Sequence, residues 1–429
     1  MITLAGCGDA FITRQLPQKK YSGFVELADY LQAHDVCFCN LETTIHHNEG
    51  YPSLFPGGGW AMAKPAVLDS LKEYGFNAVS IANNHTMDYC HKGLEATLEY
   101  LQKSGLLFAG AGLNLSEASA PKYVECPEGR VAFIALTSSF HDSDAAGYQG
   151  LTVSGRPGIN PLRHRAIYQL VPELYEKVLE IAKVTGMNDT LNWSARNGYQ
   201  KQNSNAKLRT IEFSSGNENK KISSPLTADL SRTVRSIQEA KTQADCIVIS
   251  IHSHQFKGND EIPDDFIVEF CHSCIDAGAH IIFGHGSHIL RGIECYGNGV
   301  IFYGLGDFIL QNETVERLPA DFYEKYCKDQ PELHDSVGKA MLSRSKNGTI
   351  GLSANPKAWQ SIAVSIEFSN QIESVSLLPL ELQYEMPSSR KGWPVIASNG
   401  TAILETLATL SSSYSTKVTI KNNIGYIQL

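Results

Sequence analysis

The sequence predicts an α/β fold built on sheets that mix parallel and antiparallel pairing. Strand-length apolar runs alternate with amphipathic helical segments up to about residue 135 and again after Cys246. Tight turn signals at Glu128-Gly129 and Gly297-Asn298-Gly299 join neighbouring runs as hairpins. Six strand-length runs each lead into acidic, amide or imidazole side chains. Ligands of open α/β sheets bind outside the carboxyl ends of the strands. Six such ends therefore converge on one active site made of His, Asp, Glu and Asn.

The elements follow in order. ITLAG leads to Asp9, a helix runs from about Gly23 to Ala33, and the strand at 36–39 leads to Asn40 and Glu42. Pro65, the apolar set Val67, Leu68, Leu71 and Tyr74, and the stop at Gly75 define a second helix. The strand at 78–82 leads to Asn83, Asn84 and His85, with Asp88 three residues beyond His85. A helix through Leu94, Leu98 and Leu101 ends at Gly105, and Leu106 to Ala109 is the next strand. Helices near 166–184 and 226–243 flank a polar stretch, 187–225, rich in Asn, Ser and Lys, which reads as a mobile lid or solvent loop. CIVISI leads to His252 and His254, a helix spans about Pro263 to Ala277, and HIIF leads to His285 and His288. VIFYGL, the second strand of the Gly297 hairpin, leads to Asp307. The tail holds two strands, a helix near 399–411 and a hairpin turning at Asn422-Asn423. This divides the chain into a main domain over 1–312 with a lid or insertion at about 140–243, an insertion at 313–358, and C-terminal strands and helix over 359–429 packed on the main domain.

Composition narrows the function. With 429 residues, a net charge of −9 and only 19% charged residues, the chain lacks the basic stripe that a nucleic-acid backbone demands. No apolar run approaches the roughly 20 residues of a membrane span. A signal peptide is not expected, because the first strand starts at Ile2 and cleavage would remove Asp9. The ten cysteines lie mostly within apolar strands and helices and read as packed thiols of a reducing, cytoplasmic compartment. Cys271 and Cys274 form half of a zinc-type spacing with no second half, so ordinary helix packing is expected there.

The strand-end residues carry chemistry. Period-two alternation puts Asn40 and Glu42 on one side of their strand and Leu41 on the other. Asp88 sits where it can orient the imidazole of His85. His252 and His254 share one strand face, and the glycines of Gly284-His285-Gly286-Ser287-His288 allow close backbone approach beside both rings. A mixed set of imidazole, carboxylate and amide donors suits a divalent cation, with calcium, manganese, zinc and iron not distinguished. Arg156, Arg163 and Arg291 are candidates for holding an anionic substrate group. Gly57-Gly58-Gly59-Trp60 reads either as a flap or as an ordinary loop.

The ordered motifs GCGDA, CNLET, IANNHTMDYCHKGLEATLEYL, FAGAGLNLSEASAP, IHSHQF, GHGSHILRGIE and FYGLGDFI resemble the bacterial capsule-synthesis CapA family. That family includes poly-γ-glutamate biosynthesis proteins and belongs to the calcineurin-like metallophosphoesterase superfamily. The resemblance implies a calcineurin-like α/β sandwich with one or two metal ions at the strand ends. It places Asp9, Glu42, Asn84, His252 and His285 at ligand positions, with His254 and His288 beside them, and His85 at the position that assists the leaving group. Phe11 stands where the superfamily carries a ligand His, and GHGSH and LGDF replace the common GHHPH and LGNF.

Three functions fit. The first is a metal-dependent hydrolase or transferase acting on a peptide, a poly-γ-glutamate-like polymer or another carboxylate-bearing substrate. The second is a peptide epimerase, in which the pairs Asp9–His285 and His85–Asp88, with Asp307 in reserve, remove and return a Cα proton. The third is a non-catalytic component of capsule or polyglutamate synthesis. The motifs do not indicate the oligomeric state.

Overall fold

The computed structural model describes residues 1–199, 206–327, 336–387 and 390–429, and the side chain of residue 312 is also outside it. Two sheets pack face to face. The larger runs, edge to edge, through Val418–Lys421, Ile424–Ile427, Ile372–Glu381, Gln360–Phe368, Ile2–Phe11, Val36–Leu41, Ala78–Ser80 and Leu107–Ala109. Its strands from Ile2–Phe11 onward are parallel, and the C-terminal strands add to it antiparallel. The second sheet has the order Ile293–Tyr296, Gly299–Phe302, Ile281–His285, Cys246–His252, Gly129–Thr137 and Lys122–Cys126. Its middle strands are parallel, and hairpins close both edges.

Hydrophobic patterning explains the layers. Helices Phe24–Gln32, Val67–Tyr74 and Cys90–Ser104 lay Leu27, Leu31, Leu71 and Leu94 on the outer face of the larger sheet, against Cys37, Cys39 and Val79. Helices Thr227–Ala240 and Asp265–Ala277 cover the other sheet with Ile237, Phe266, Phe270, Cys271 and Cys274. The two cysteines are thus packed helix residues, and all ten cysteines are free thiols. Between the sheets, Phe38 stacks on Phe133 at 4.8 Å between ring centroids, with Phe283 beside it. Each such buried ring contributes about 1.5–3 kcal/mol. The result is an α/β sandwich, helices outside two mixed sheets. Among the described residues, no helix is long and apolar enough to cross a membrane.

Three elements differ from expectation. The segment expected as one helix from 166 is a strand, His164–Leu170, followed by helix Pro172–Thr185. Ile167, Tyr168 and Leu170 satisfy either period, and Pro172 at the first helical turn sets the real start. The polar stretch 187–225 contains helix Asp189–Arg196 and strands Ala206–Leu208, Ile211–Ser215 and Lys220–Pro225, which form a four-stranded sheet with His164–Leu170. Its polar composition is compatible with strands because few of these side chains are buried and the ladders satisfy the backbone. Residues 200–205 of this stretch lie outside the described ones. Finally, Asp307 does not close the Gly297 hairpin strand. It begins a separate strand, Asp307–Leu310, paired parallel with Ile2–Phe11 so that Asp307 lies opposite Asp9.

Candidate metal centre and active site

Parallel pairing puts the carboxyl ends of Ile2–Phe11, Val36–Leu41, Cys246–His252 and Ile281–His285 at one end of the sandwich. The register opposes Asp9 with Asn40, and His252 with His285. Gly8 permits this approach, since a Cβ there would come within 1.9 Å of the Gly306 carbonyl oxygen. Gly286, at φ +86°, faces the His252 ring, which a Cβ would meet at 2.8 Å. His288 adopts φ +56°, a left-handed conformation that costs a non-glycine residue roughly 1–2 kcal/mol.

The cluster is dense and largely buried. Asp9 accepts from the Asn40 amide at 2.7 Å and from the Gly286 backbone N–H at 2.7 Å, with His285 Nδ1 3.4 Å away. Asn83 donates to Asn40 Oδ1 at 3.1 Å and to the Leu41 carbonyl at 2.8 Å, tying the neighbouring strand end to the same set. His252 Nε2 stands 3.2 Å from His254 Nε2 and 3.7 Å from Glu42 Oε1. His288 lies between Glu42, at 3.8 Å, and Asp307, at 2.9 Å. His85 Nδ1 pairs with Asp88 Oδ2 at 2.7 Å. Phe11 sets its ring edge on His85, with centroids 5.1 Å apart.

Burial and neighbouring charge set the protonation states. Burial would raise Asp9, but His252 and His285 hold it well below the usual carboxylate range. Glu42 is pushed well above its ordinary value by burial, reinforced by Asp9, Asp307 and Asp88 against the opposing pull of His288. Burial takes His252 down to about 4 against the pull of Asp9. For His288, Asp307 and Glu42 outweigh burial and push it up to about 10.

These residues fit a divalent cation. Asp9, Glu42, His288 and Asp307 each offer an atom within 4.8 Å of the others, as do Glu42, His254 and His288. Both Glu42 oxygens, both His285 ring nitrogens, Asn84 Oδ1 and Asp307 Oδ2 are buried without a hydrogen-bond partner. Buried polar atoms in native proteins are nearly always satisfied, so orphans of ligand type at and beside these groups make them a candidate cation site. Asp307, expected as an acid/base group, stands among the carboxylates of this set.

The cluster forms the floor of a cavity of about 530 Å³, onto which Asn84, His85, His254 and His288 face. The walls carry little signal in the sequence. One is the loop Gly57–Trp60, pinned by the Gly57 N–H to Asp88 at 2.8 Å and by Asn84 to the Gly57 carbonyl at 2.6 Å. The other is the 313–358 segment, which contributes Phe322, Tyr326, Met341 and Arg344 from helices Ala320–Tyr326 and Val337–Arg344; residues 328–335 lie outside the described ones. The aromatic run DFYEKY is the one sequence signal of that second wall.

The three arginines expected at a substrate are not among the described residues lining this cavity. Arg163 forks onto Asp229 at 2.8 Å through both Nε and Nη2, and that carboxylate also takes Arg232. Arg156 donates to the Ala145 carbonyl at 2.9 Å, and buried Arg291 to the Asp260 carbonyl at 2.8 Å. Arg–carboxylate forks look the same in sequence whether the acid belongs to a substrate or to the next helix.

Comparison with known proteins adds a lineage. The family described as bacterial capsule synthesis protein PGA_cap matches residues 3–312. The uncharacterized Sinorhizobium fredii protein y4sH is 32% identical over 100% of this chain and 93% of its own length. The PGA biosynthesis protein CapA of Bacillus subtilis is 28% identical over 65% of this chain, which spans 54% of that protein. Among solved structures, a phosphatase from Mycoplasma pneumoniae aligns over 90% of this chain and 96% of its own, with 12% identity and a TM-score of 0.38.

Proposed function

Because the chain belongs to the bacterial capsule synthesis protein family, we propose that it is a metal-dependent acid–base enzyme acting on a carboxylate-bearing substrate. The observation that best supports this reading is the His85–Asp88 pair, whose His85 lines the same cavity as the cation-type cluster, with buried Asp88 behind it. Asp88 holds Nδ1 of His85, leaving Nε2 to take or give a proton at the substrate. The backbone N–H groups of Gly57, at 2.8 Å, and Ala61, at 2.7 Å, keep the Asp88 carboxylate oriented. Asp9, Glu42, Asn84, His252, His254, His285, His288 and Asp307 would supply the ligands of one or two cations. When bound, a cation supplies Lewis-acid stabilisation of developing negative charge. The reaction is hydrolysis or transfer on a peptide, a poly-γ-glutamate-like chain or a similar substrate.

Epimerisation at a peptide Cα is the second reading. It draws support from the further His–carboxylate pairs, His285–Asp9 and His288–Asp307, in the same cluster. One pair would take the Cα proton and another return a proton to the opposite face.

Elemental analysis of the purified protein, coupled to turnover of candidate peptides in heavy water, tests both readings. Bound metal with a cleaved amide supports hydrolysis. Cα deuterium uptake without cleavage supports epimerisation. Absence of metal and of both reactions would sink the enzymatic reading and leave a binding role in capsule or polyglutamate synthesis.

A further inference from the structure

The cavity above the cluster has a chemical character that the family name does not suggest. Phe11, Trp60, Leu310, Val315, Phe322 and Met341 make much of its wall apolar. Arg344 is the one lysine or arginine among the described residues lining it. Its guanidinium lies 5.0 Å from the Tyr326 ring centroid and 5.9 Å from that of Phe322, and Nη2 donates to the Gly58 carbonyl at 2.7 Å. The aromatic platform and the loop carbonyl fix the plane of the fork, which lowers the entropy lost when it binds a planar anion. Glu313, the acidic side chain of the rim, has Lys391 at 3.9 Å.

We infer that Arg344 anchors the terminal carboxylate of a chain whose last side chain is apolar or aromatic, and that the cavity selects against polyglutamate. This narrows the proposed function, taking polyglutamate out of its substrates, and rests on this cavity being its substrate site. A polyglutamate segment brings one carboxylate per residue. Away from the cluster floor a single guanidinium neutralises one of them, and the apolar walls would strip water from others held against them without pairing them. An apolar side chain gains from those same walls, and one carboxylate finds a bidentate partner.

The test is calorimetric binding to the full chain of four probes: N-acetyl-phenylalanine, its C-terminal amide, an alanyl-alanyl-phenylalanine peptide and a γ-glutamyl pentamer. The acid should bind at least about tenfold tighter than the amide, and the pentamer more weakly than either acid. The tripeptide distinguishes a peptide end from a single residue: tighter binding than the capped residue identifies a peptide substrate. In Arg344→Met the acid-to-amide ratio should collapse toward one, and Arg344→Lys, which keeps the charge but not the fork, should retain part of it. Equal binding of acid and amide by the wild-type protein overturns the inference, whatever the variants do to folding. So does a preference for the pentamer, or no binding of any probe up to about 10 mM. Repeating the series after chelation and in His285→Ala separates the two claims. Discrimination that survives both belongs to Arg344 even if the acid–base reading fails. Discrimination lost on chelation assigns the carboxylate to the metal cluster and overturns the anchor.

Discussion

His85 Nδ1 lies 2.7 Å from Asp88 Oδ2, and the same carboxylate accepts the backbone N–H groups of Gly57 and Ala61. One side chain three residues along the chain therefore orients the imidazole and also pins the loop that walls the cavity. The coupling makes Asp88 a positioning residue for both.

Asp88→Asn must turn an amide nitrogen toward at least one of these donors. Turnover, followed as product release or Cα deuterium uptake, should fall on the order of 10²–10⁴-fold, the usual span of a positioned acid–base group. Urea melts should show a loss of about 1–3 kcal/mol from the unsatisfied contact. Unchanged turnover would remove the pair from the chemistry.

Chelation should lower the melting temperature and added divalent cation should restore it, because a ligand of the folded state alone stabilises by mass action. The unpartnered Glu42 and His285 atoms motivate this outcome. His285→Ala and Asp9→Ala should lose turnover and metal while keeping the wild-type circular dichroism. Retained turnover in both variants would move the site elsewhere.

Asp229 supports Arg163 and buried Arg232 rather than a substrate. Burial alone would raise its pKa, but the two guanidiniums hold it below the ordinary carboxylate value. The charged form is thus favoured in the folded state, so its contribution is present above about pH 4 and is lost as pH falls through the depressed folded value. Asp229→Asn should cost about 3–5 kcal/mol near neutrality by leaving Arg232 unpaired. Its melting temperature should then fall less steeply than that of the wild type below about pH 4. Parallel acid profiles for the two proteins would refute this role.

Gly286→Ala places a methyl group within 2.8 Å of the His252 ring at a backbone φ of +86°. The strain alone costs roughly 1–2 kcal/mol, and the ring must move. A lower melting temperature together with weaker metal retention is expected, measured by thermal scanning and elemental analysis after dialysis. Wild-type metal content would show that His252 has room to shift without harm.

Much of this cluster is legible in the amino-acid sequence. Asp9, Glu42, Asn84, His85, His252, His254, His285 and His288 all stand in one cluster or on the cavity above it. Each follows a strand-like run, and parallel strands deliver their carboxyl ends to one edge. The helix expected from 166 is a strand at its start because Ile167, Tyr168 and Leu170 fit two periods at once, and pairing with Ile211–Ser215 and Lys220–Pro225 decides between them. Arg163 misleads for a different reason: its sequence neighbourhood carries no trace of Asp229, which lies 66 residues away.

Local sequence suffices for the α/β class, for most helix and strand positions and for the identity of the polar strand ends. Those depend on side-chain periodicity and on turn and cap chemistry among near neighbours. Long-range packing is what sets Asp307 opposite Asp9, seats His288 between Glu42 and Asp307, and brings Phe322, Tyr326, Met341 and Arg344 to line the cavity. Those choices depend on which distant surfaces bury against one another, and a long-range partner leaves no periodic mark on the residues it selects.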